Sequence, residues 1–351
     1  MKMIENVSLA PFTTFGIGGP ARFFVAASSE NELVEAVDWA AQRNLPLFIL
    51  GGGSNLLVSD RGFDGLVLKI ELHGIEAEQA PDAPGQTIFH AAAGEDWDAF
   101  VERTVQAGCA GIECLAGIPG SVGGTPVQNV GAYGQEVASA IDRVRAYDRE
   151  QRAFVEFSAA ECGFAYRKSR FNHEDRGRYI VTRVDYRLTP GGAPQIRYGD
   201  LQRELAAFAA EGREPSLGDV AATVRRVRQS KGMLMVDGDP DCASAGSFFK
   251  NPILSVAHVR GIAEICAKEP PHFAAGEGVV KVPAAWLIEQ AGFAKGYRLG
   301  SAGISTRHTL ALTNRGGATA QEILALAGEI KQKVESRFRV HLEMEPVLLG
   351  F

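Results

Sequence analysis

The chain has 351 residues, of which 46% are hydrophobic and 22% charged, with a formal net charge of −6. That length suits two or three domains, the apolar content excludes a disordered chain, and the acidic balance argues against general nucleic-acid binding. No apolar run approaches the ~20 residues of a membrane helix, and the start Met1-Lys2-Met3-Ile4-Glu5-Asn6 lacks a signal-peptide core, so a cytoplasmic protein without a membrane partner is expected.

The apolar residues Leu33, Val34, Val37 and Ala41 predict a helix from Ser29 to Asn44, opened by a Ser29/Glu32 capping box. Leu47 to Leu50 reads as a short buried strand that runs into Gly51-Gly52-Gly53-Ser54-Asn55, and Leu66 to Ile70 as a second strand. Pro81, Asp82, Pro84 and Gly85 mark a break over Glu76 to Gly85. A strand at Thr87 to Ala92 and a helix at Trp97 to Ala107 come next, then a long loop rich in glycine from Gly117 to Gly134. Strands return at Ile141 to Tyr147 and Tyr179 to Leu188. Helices are expected at Ser216 to Arg228, Ser255 to Ala267 and Pro283 to Ala291, with a strand at Thr309 to Thr313. A Thr319/Glu322 capping box opens a helix to about Arg337, and Val340 to Leu349 reads as a closing strand.

Five cysteines, Cys109, Cys114, Cys162, Cys242 and Cys266, form no C-x-x-C pair and are odd in number. They read as reduced thiols, with no metal expected. The seven histidines lack ligand spacing and read as structural or exposed. Arg225, Arg226, Arg228 and Lys231 gather at the end of one helix, either as a solvated face or as an anion pocket.

The 40 glycines are clustered. Glycine lets backbone N–H groups approach an anion closely, so the Gly51 and Gly117 loops are either tight turns or cradles for a ligand with two phosphates. Neither carries G-x-x-x-x-G-K-[ST] or G-x-G-x-x-G, which excludes the common P-loop and doubly wound dinucleotide patterns. There is no G-x-S-x-G or H-E-x-x-H. Gly246-Ser247-Phe248-Phe249-Lys250-Asn251-Pro252 has neither helical nor strand periodicity; it offers a hydroxyl, an ammonium and a carboxamide in an irregular segment.

The chain resembles the UDP-N-acetylenolpyruvoylglucosamine reductase family, in its longer subtype with a tyrosine loop. The resemblance rests on Thr14-Phe15-Gly16-Ile17-Gly18-Gly19-Pro20-Ala21, Leu50 to Leu57, Gly117 to Gly134, Tyr166-Arg167-Lys168-Ser169, Arg228-Gln229-Ser230-Lys231 and Gly246 to Pro252, in family order along nearly the whole chain. It implies an α+β protein with the FAD-binding fold of the vanillyl-alcohol-oxidase-like superfamily and a separate α+β substrate-binding domain. Residues 1–75 with 338–351 would form one FAD-binding lobe and 76–228 the second. Residues 229–337 would form the substrate domain that closes over the substrate.

The resemblance further implies noncovalent FAD at Gly51, Gly52, Gly53, Ser54 and Asn55 and at Gly117, Gly120, Ser121, Gly123 and Gly124. NADPH would reduce the flavin, which passes hydride to the enolpyruvyl group of UDP-N-acetylglucosamine enolpyruvate and yields UDP-N-acetylmuramate for the peptidoglycan of a growing and dividing cell. Arg167 would hold the substrate carboxylate, Ser247 donate the proton, and Glu345 supply a carboxyl group, with Glu343 as the alternative. Substrate contacts carry over to Tyr166, Tyr198, Arg228, Lys231, Asn251 and Gln290. A monomer is expected. Two other readings stand beside this one. A flavin-dependent oxidase or dehydrogenase of the same superfamily is disfavoured in its covalent form by the absence of His and Cys between Gly16 and Ser59. A binding module without turnover would have no need of a proton donor.

Overall fold

Helix α1 (Glu30–Gln42) buries Leu33, Ala36, Val37 and Ala40, one stripe at 3.6-residue spacing. It belongs to the first of two compact units in the computed structural model, which describes residues 1–210 and 212–351. That unit comprises Met1–Val7, Ala21–Gly52 and Asp64–Gln229; the second comprises Ser8–Pro20, Gly53–Phe63 and Ser230–Phe351. The segment 1–75 is thus shared between the units, and 338–351 falls in the second.

In the first unit, a four-stranded sheet runs in the order Met3–Ser8, Pro20–Ala27, Phe63–Ile70, Leu47–Leu50, with its last two strands parallel. Leu66, Val67 and Leu68 are fully buried, and Leu66 and Leu68 share a core with the α1 stripe. Ser29 caps α1 through the Glu32 N–H, but the Glu32 carboxylate accepts from Ser28 N and Oγ instead of Ser29. The reciprocal half of the expected box is therefore displaced by one residue.

A second sheet is antiparallel along the order Ala153–Ser158, Ile141–Asp148, Tyr179–Pro190, Thr87–Ala92, Ile75–Gln79. The expected break at Glu76 is corrected here. Ile75–Gln79 pairs as an edge strand with Thr87–Ala92, and only the residues around Pro81 to Gly85 turn. Its charged residues mask the strand, as suits a sheet edge. Helix α2 (Trp97–Gln106) is capped by Asp96 and buries Trp97, Phe100, Val101 and Thr104. The Phe100 and Tyr186 rings lie 4.9 Å apart. Helices α3 (Gly199–Ala210) and α4 (Leu217–Ser230) follow. The first of these was not expected from the sequence, where Tyr198 to Leu201 read as a loop.

The second unit holds α5 (Val256–Cys266), α6 (Ala284–Gln290) and α7 (Ala320–Phe338). Two small antiparallel sheets accompany them, and Val347–Leu349 runs parallel to Leu56–Val58. The expected closing strand from Val340 shortens to Val347–Leu349, because Pro346 has no N–H to give to a ladder. Before it, Met344 makes only an isolated bridge to Phe249. The strand expected at Thr309 to Thr313 runs at Leu312–Asn314 instead, after a turn in which Ala311 N donates to His308 O. Among the described residues no helix is long and apolar enough to cross a membrane.

Helix α7 has its first amides satisfied from two sources. Thr319 and Glu322 form the full capping box, and the Asp60 carboxylate accepts from Ala320 N at 2.7 Å and Gln321 N at 3.1 Å. Thr319→Ala is expected to lower stability by about 1 kcal/mol in urea unfolding, with the transition slope unchanged.

Candidate functional site

The two glycine turns meet in the first unit. A Cβ on Gly52 would stand 2.6 Å from Gly120 Cα, and one on Gly51 would stand 2.7 Å from Ser121 Oγ. At Gly52 no side chain fits between the two backbones, so the approach itself demands glycine there. Ser121 Oγ is buried and has no hydrogen-bond partner. A buried hydroxyl left unpaired is costly and marks a site where an external acceptor completes the bonding. The cradle therefore fits an anionic group such as a pyrophosphate, and the donor set is right for it.

Other members of the predicted cofactor set have protein partners. Gly117 N donates to Asp98 Oδ1 at 2.6 Å, and Gly123 N donates to Ala93 O. Gly53, in the second unit, is packed against the Phe12 carbonyl, and Thr14 Oγ1 donates to Ser54 O. Asn55 Nδ2 donates to Glu345 O at 3.2 Å, while Asn55 O accepts from Val347 N. Asn55 thus ties the end of the first glycine turn to the segment that carries Glu345.

Arg167 sits at the tip of a tight turn closed by reciprocal Ala165 and Lys168 backbone hydrogen bonds, and its φ of +55° is uncommon for a residue with a side chain. Arg167 Nη2 donates to Gly131 O at 3.0 Å, and its guanidinium carbon lies 5.3 Å from the centre of the Tyr166 ring. Asn129, which the sequence reading left without a role, is buried and donates to Ala165 O at 3.1 Å and to Glu136 Oε2 at 2.9 Å. Its own positive φ is the signal that could have marked it, and that signal is invisible in a sequence.

Tyr198 is exposed just before α3, and its ring packs edge-on against Tyr133 at 5.4 Å. At the end of α4 the basic cluster separates into different roles. Arg225 pairs with Asp98, Arg226 Nη2 donates to Thr223 Oγ1, and Arg228 is 8% exposed with Nε donating to Gly117 O at 2.8 Å. Burial draws the Arg228 guanidinium down from its ordinary range, while Tyr133 and Asp98 act against that shift.

In the second unit, residues 231–252 form neither helix nor strand. Asp241 holds this segment. Its carboxylate accepts from Thr306 N at 2.9 Å and pairs with Arg315 Nη2 at 2.7 Å, with both side chains 4% exposed. Burial opposes the Asp241 charge, but Thr306 and Arg315 outweigh it and hold the carboxyl below the usual range. Lys231 opens the segment, next to Gly232, whose missing Cβ leaves room for Asp241.

Near the other end, Gly246 takes a φ of +68° and Ser247 follows, half-buried. The Ser247 hydroxyl makes no hydrogen bond among the described residues. Phe248 and Phe249, unassigned in the sequence, are core residues at 0% and 1% exposure, and Phe248 also packs edge-on against Phe15. Glu345 N donates to Phe248 O at 2.9 Å, which sets Glu345 one residue away from Ser247 across the backbone pairing. Glu343 is exposed and pairs with Lys250 at 3.2 Å. Asn251 Oδ1 accepts from Ala284 N at 2.9 Å, so its carbonyl caps α6, and Gln290 ends that helix, half-buried.

His308 lies in the turn that precedes Leu312–Asn314, where its carbonyl accepts from Ala311 N. Burial, with Lys231 and Lys295 adding to it, pushes its imidazole down to about 4. No ligand spacing in the sequence marks it.

Residues 21–150 match the FAD binding domain family, a span that includes Gly51, Gly52 and the whole Gly117 to Gly124 loop. Residues 239–349 match the C-terminal domain of UDP-N-acetylenolpyruvoylglucosamine reductase. The chain is 46% identical to the UDP-N-acetylenolpyruvoylglucosamine reductase of Thermobifida fusca, over 99% of this chain and 98% of that protein. It is 48% identical to the enzyme of that name from Streptomyces coelicolor, over 99% and 90% of the two chains. The crystal structure of the Thermus caldophilus reductase superposes with a TM-score of 0.65 at 27% identity, covering 99% of this chain and 98% of that one.

With the glycine cradle and its unpaired Ser121 hydroxyl, these likenesses define an FAD-dependent oxidoreductase of α+β fold. The chain belongs to the UDP-N-acetylenolpyruvoylglucosamine reductase family.

The depressed His308 sets a direction of pH dependence. The unfolded chain binds this proton near the usual 6.5 and the folded one only near 4, so the proton favours unfolding in that window. Stability should fall as pH drops from 6.5 toward 4, and His308→Gln should flatten part of that slope in unfolding curves recorded across the range.

Proposed function

We propose that this enzyme reduces UDP-N-acetylglucosamine enolpyruvate to UDP-N-acetylmuramate with NADPH as electron donor, a step of peptidoglycan precursor synthesis. It acts as a cytoplasmic monomer on a UDP-sugar, with no nucleic-acid or membrane partner. The reductase relatives, matched over nearly the full chain, support the substrate class. FAD binding falls to residues 1–75 with 338–351 and to 76–228, and the sugar nucleotide to 229–337.

Bound FAD supplies hydride transfer from NADPH to the enolpyruvyl group. Gly51, Gly52, Gly120 and Ser121 hold its pyrophosphate, and the buried, unpaired Ser121 hydroxyl is the donor they contribute. Reduction of the double bond adds one hydride and one proton. Hydride at the terminal carbon drives negative charge onto the neighbouring carbon and its carboxylate, so a fixed cation at the carboxylate lowers the barrier. Arg167 fills that role, its backbone pinned in the left-handed region and its guanidinium already oriented by Gly131 O.

Ser247 gives the proton to the carbon beside the carboxylate. The observation that carries this reading is its hydroxyl, free of any described protein partner on a segment fixed at both ends, by Asp241 and by the Phe248–Glu345 pairing. A serine is a weak acid and needs neighbours that sharpen its donation. Glu345 is the carboxyl group for that task, since Glu343 is exposed and paired with Lys250. Tyr166, Tyr198, Arg228, Lys231, Asn251 and Gln290 hold the sugar nucleotide. The Asn251 carbonyl is already committed to Ala284 N, which leaves its amide N–H₂ group to donate to a substrate acceptor.

Ser247→Ala separates the two half-reactions. Anaerobic mixing with NADPH should bleach the flavin absorbance at the wild-type rate, and recovery of colour on adding the enolpyruvyl sugar nucleotide should slow by at least ~100-fold. Equal slowing of both half-reactions would show that Ser247 is not the proton donor.

A further inference from the structure

Gly117 opens the loop that faces Gly51 and Gly52, and both of its main-chain polar groups are held by helices. Its N–H donates to Asp98 Oδ1 at 2.6 Å, from the first turn of α2, and its carbonyl accepts from Arg228 Nε at 2.8 Å, from the last turn of α4. The two helices are joined through the same groups. Arg225 Nη2 lies 2.8 Å from Asp98 Oδ1 and Arg225 Nε lies 3.2 Å from Asp98 Oδ2, a two-point contact between planar groups. Asp98 Oδ1 thus receives the Gly117 N–H and the Arg225 guanidinium together.

Further along, the loop lies against the entry to α2. Trp97 Nε1 donates to Leu115 O at 3.0 Å, Trp97 N donates to Gly120 O, and Val122 N donates to Glu95 O. Asp98 is the charged member of this set and the one that joins both helices. A loop with glycine at 117, 120, 123 and 124 has little stiffness of its own, and its φ of +72° at Gly117 is a state that only outside contacts select. A ligand that had to order such a loop would bind more weakly by the lost entropy, whereas a loop held in advance does not impose that loss.

We propose that Asp98, with Arg225, is a positioning residue for FAD: it fixes the start of the Gly117 to Gly124 loop so that Ser121 stands ready for the pyrophosphate. The inference rests on the cradle reading given above. Asp98 touches no substrate or cofactor atom in this role; it acts through Gly117.

The test measures FAD released from purified holoenzyme on serial dilution, by flavin fluorescence, beside the thermal unfolding temperature of each variant. Asp98→Ala is expected to raise the FAD dissociation constant about 10- to 100-fold, and Arg225→Met about tenfold. Asp98→Asn keeps an acceptor for Gly117 N–H while losing the ion pair, so it should lie between wild type and Asp98→Ala. Thr319→Ala, in the second unit, serves as a variant that lowers stability without touching the loop. If Asp98→Asn and Arg225→Met resemble it, with a lowered unfolding temperature and FAD affinity within twofold of wild type, the role is structural only and the proposal is overturned. These two milder variants decide the matter even where Asp98→Ala fails to fold. Ser121→Ala and Gly52→Ala test the cradle itself. If both weaken FAD while the Asp98 and Arg225 variants do not, the inference alone fails; if neither weakens FAD, the cradle is wrong and the inference falls with it.

Discussion

The close approach of two backbones, Gly52 to Gly120, is the constraint on which the cofactor half of this protein depends. A side chain at Gly52 would separate them, and the separation would reach Ser121, whose buried hydroxyl lacks a protein partner. Everything around the cradle limits movement. The Leu47–Leu50 strand delivers Gly51 from the sheet, the entry to α2 aligns the facing loop, and α4 reaches the same loop with a buried arginine. Two flexible turns acquire a single arrangement because rigid elements terminate at them.

The second unit solves a harder version of the same problem. Ser247 lies in a stretch of 22 residues, 231–252, without regular structure, which by itself would be expected to move. Polar anchoring replaces the missing ladder. The Asp241–Arg315 pair is almost fully withdrawn from water, so breaking one side leaves a buried charge and the segment has one strongly preferred position. The aromatic pair Phe248–Phe249 adds an apolar anchor directly beside Ser247.

Much of this was readable from residue order, and the failures have physical causes. The helices with a clear apolar stripe, such as α1 and α7, appear within a residue or two of their expected ends, because one buried face and a capping residue act locally. The glycine loops could be read either as tight turns or as ligand cradles, and the close approach of Gly52 to Gly120, which favours the cradle, is not written in either loop alone. The edge strand Ile75–Gln79 was hidden because its exposed positions are charged, and the closing strand was overextended because Pro346 interrupts the hydrogen bonding but not the apolar pattern. The partnership of Asp98 with Arg225 spans 127 residues, and that of Asn55 with Glu345 spans 290; no local pattern encodes either. The basic run at the end of α4 looked uniform, yet three neighbouring arginines face a carboxylate, a hydroxyl and a carbonyl.

The second unit is built from three separate stretches of chain, and its longest helix starts on a carboxylate contributed from 260 residues earlier. Leu56–Val58 likewise waits for Val347–Leu349 as its strand partner. A ribosome therefore releases two early pieces of this unit long before the rest exists, and they stay incomplete until Val347–Leu349 has been made. The first unit closes its own sheets well before that, from Met3 through Pro190. The Gly51–Gly52 turn and the Gly117 to Gly124 loop can thus face each other before the segment that bears Ser247 is complete.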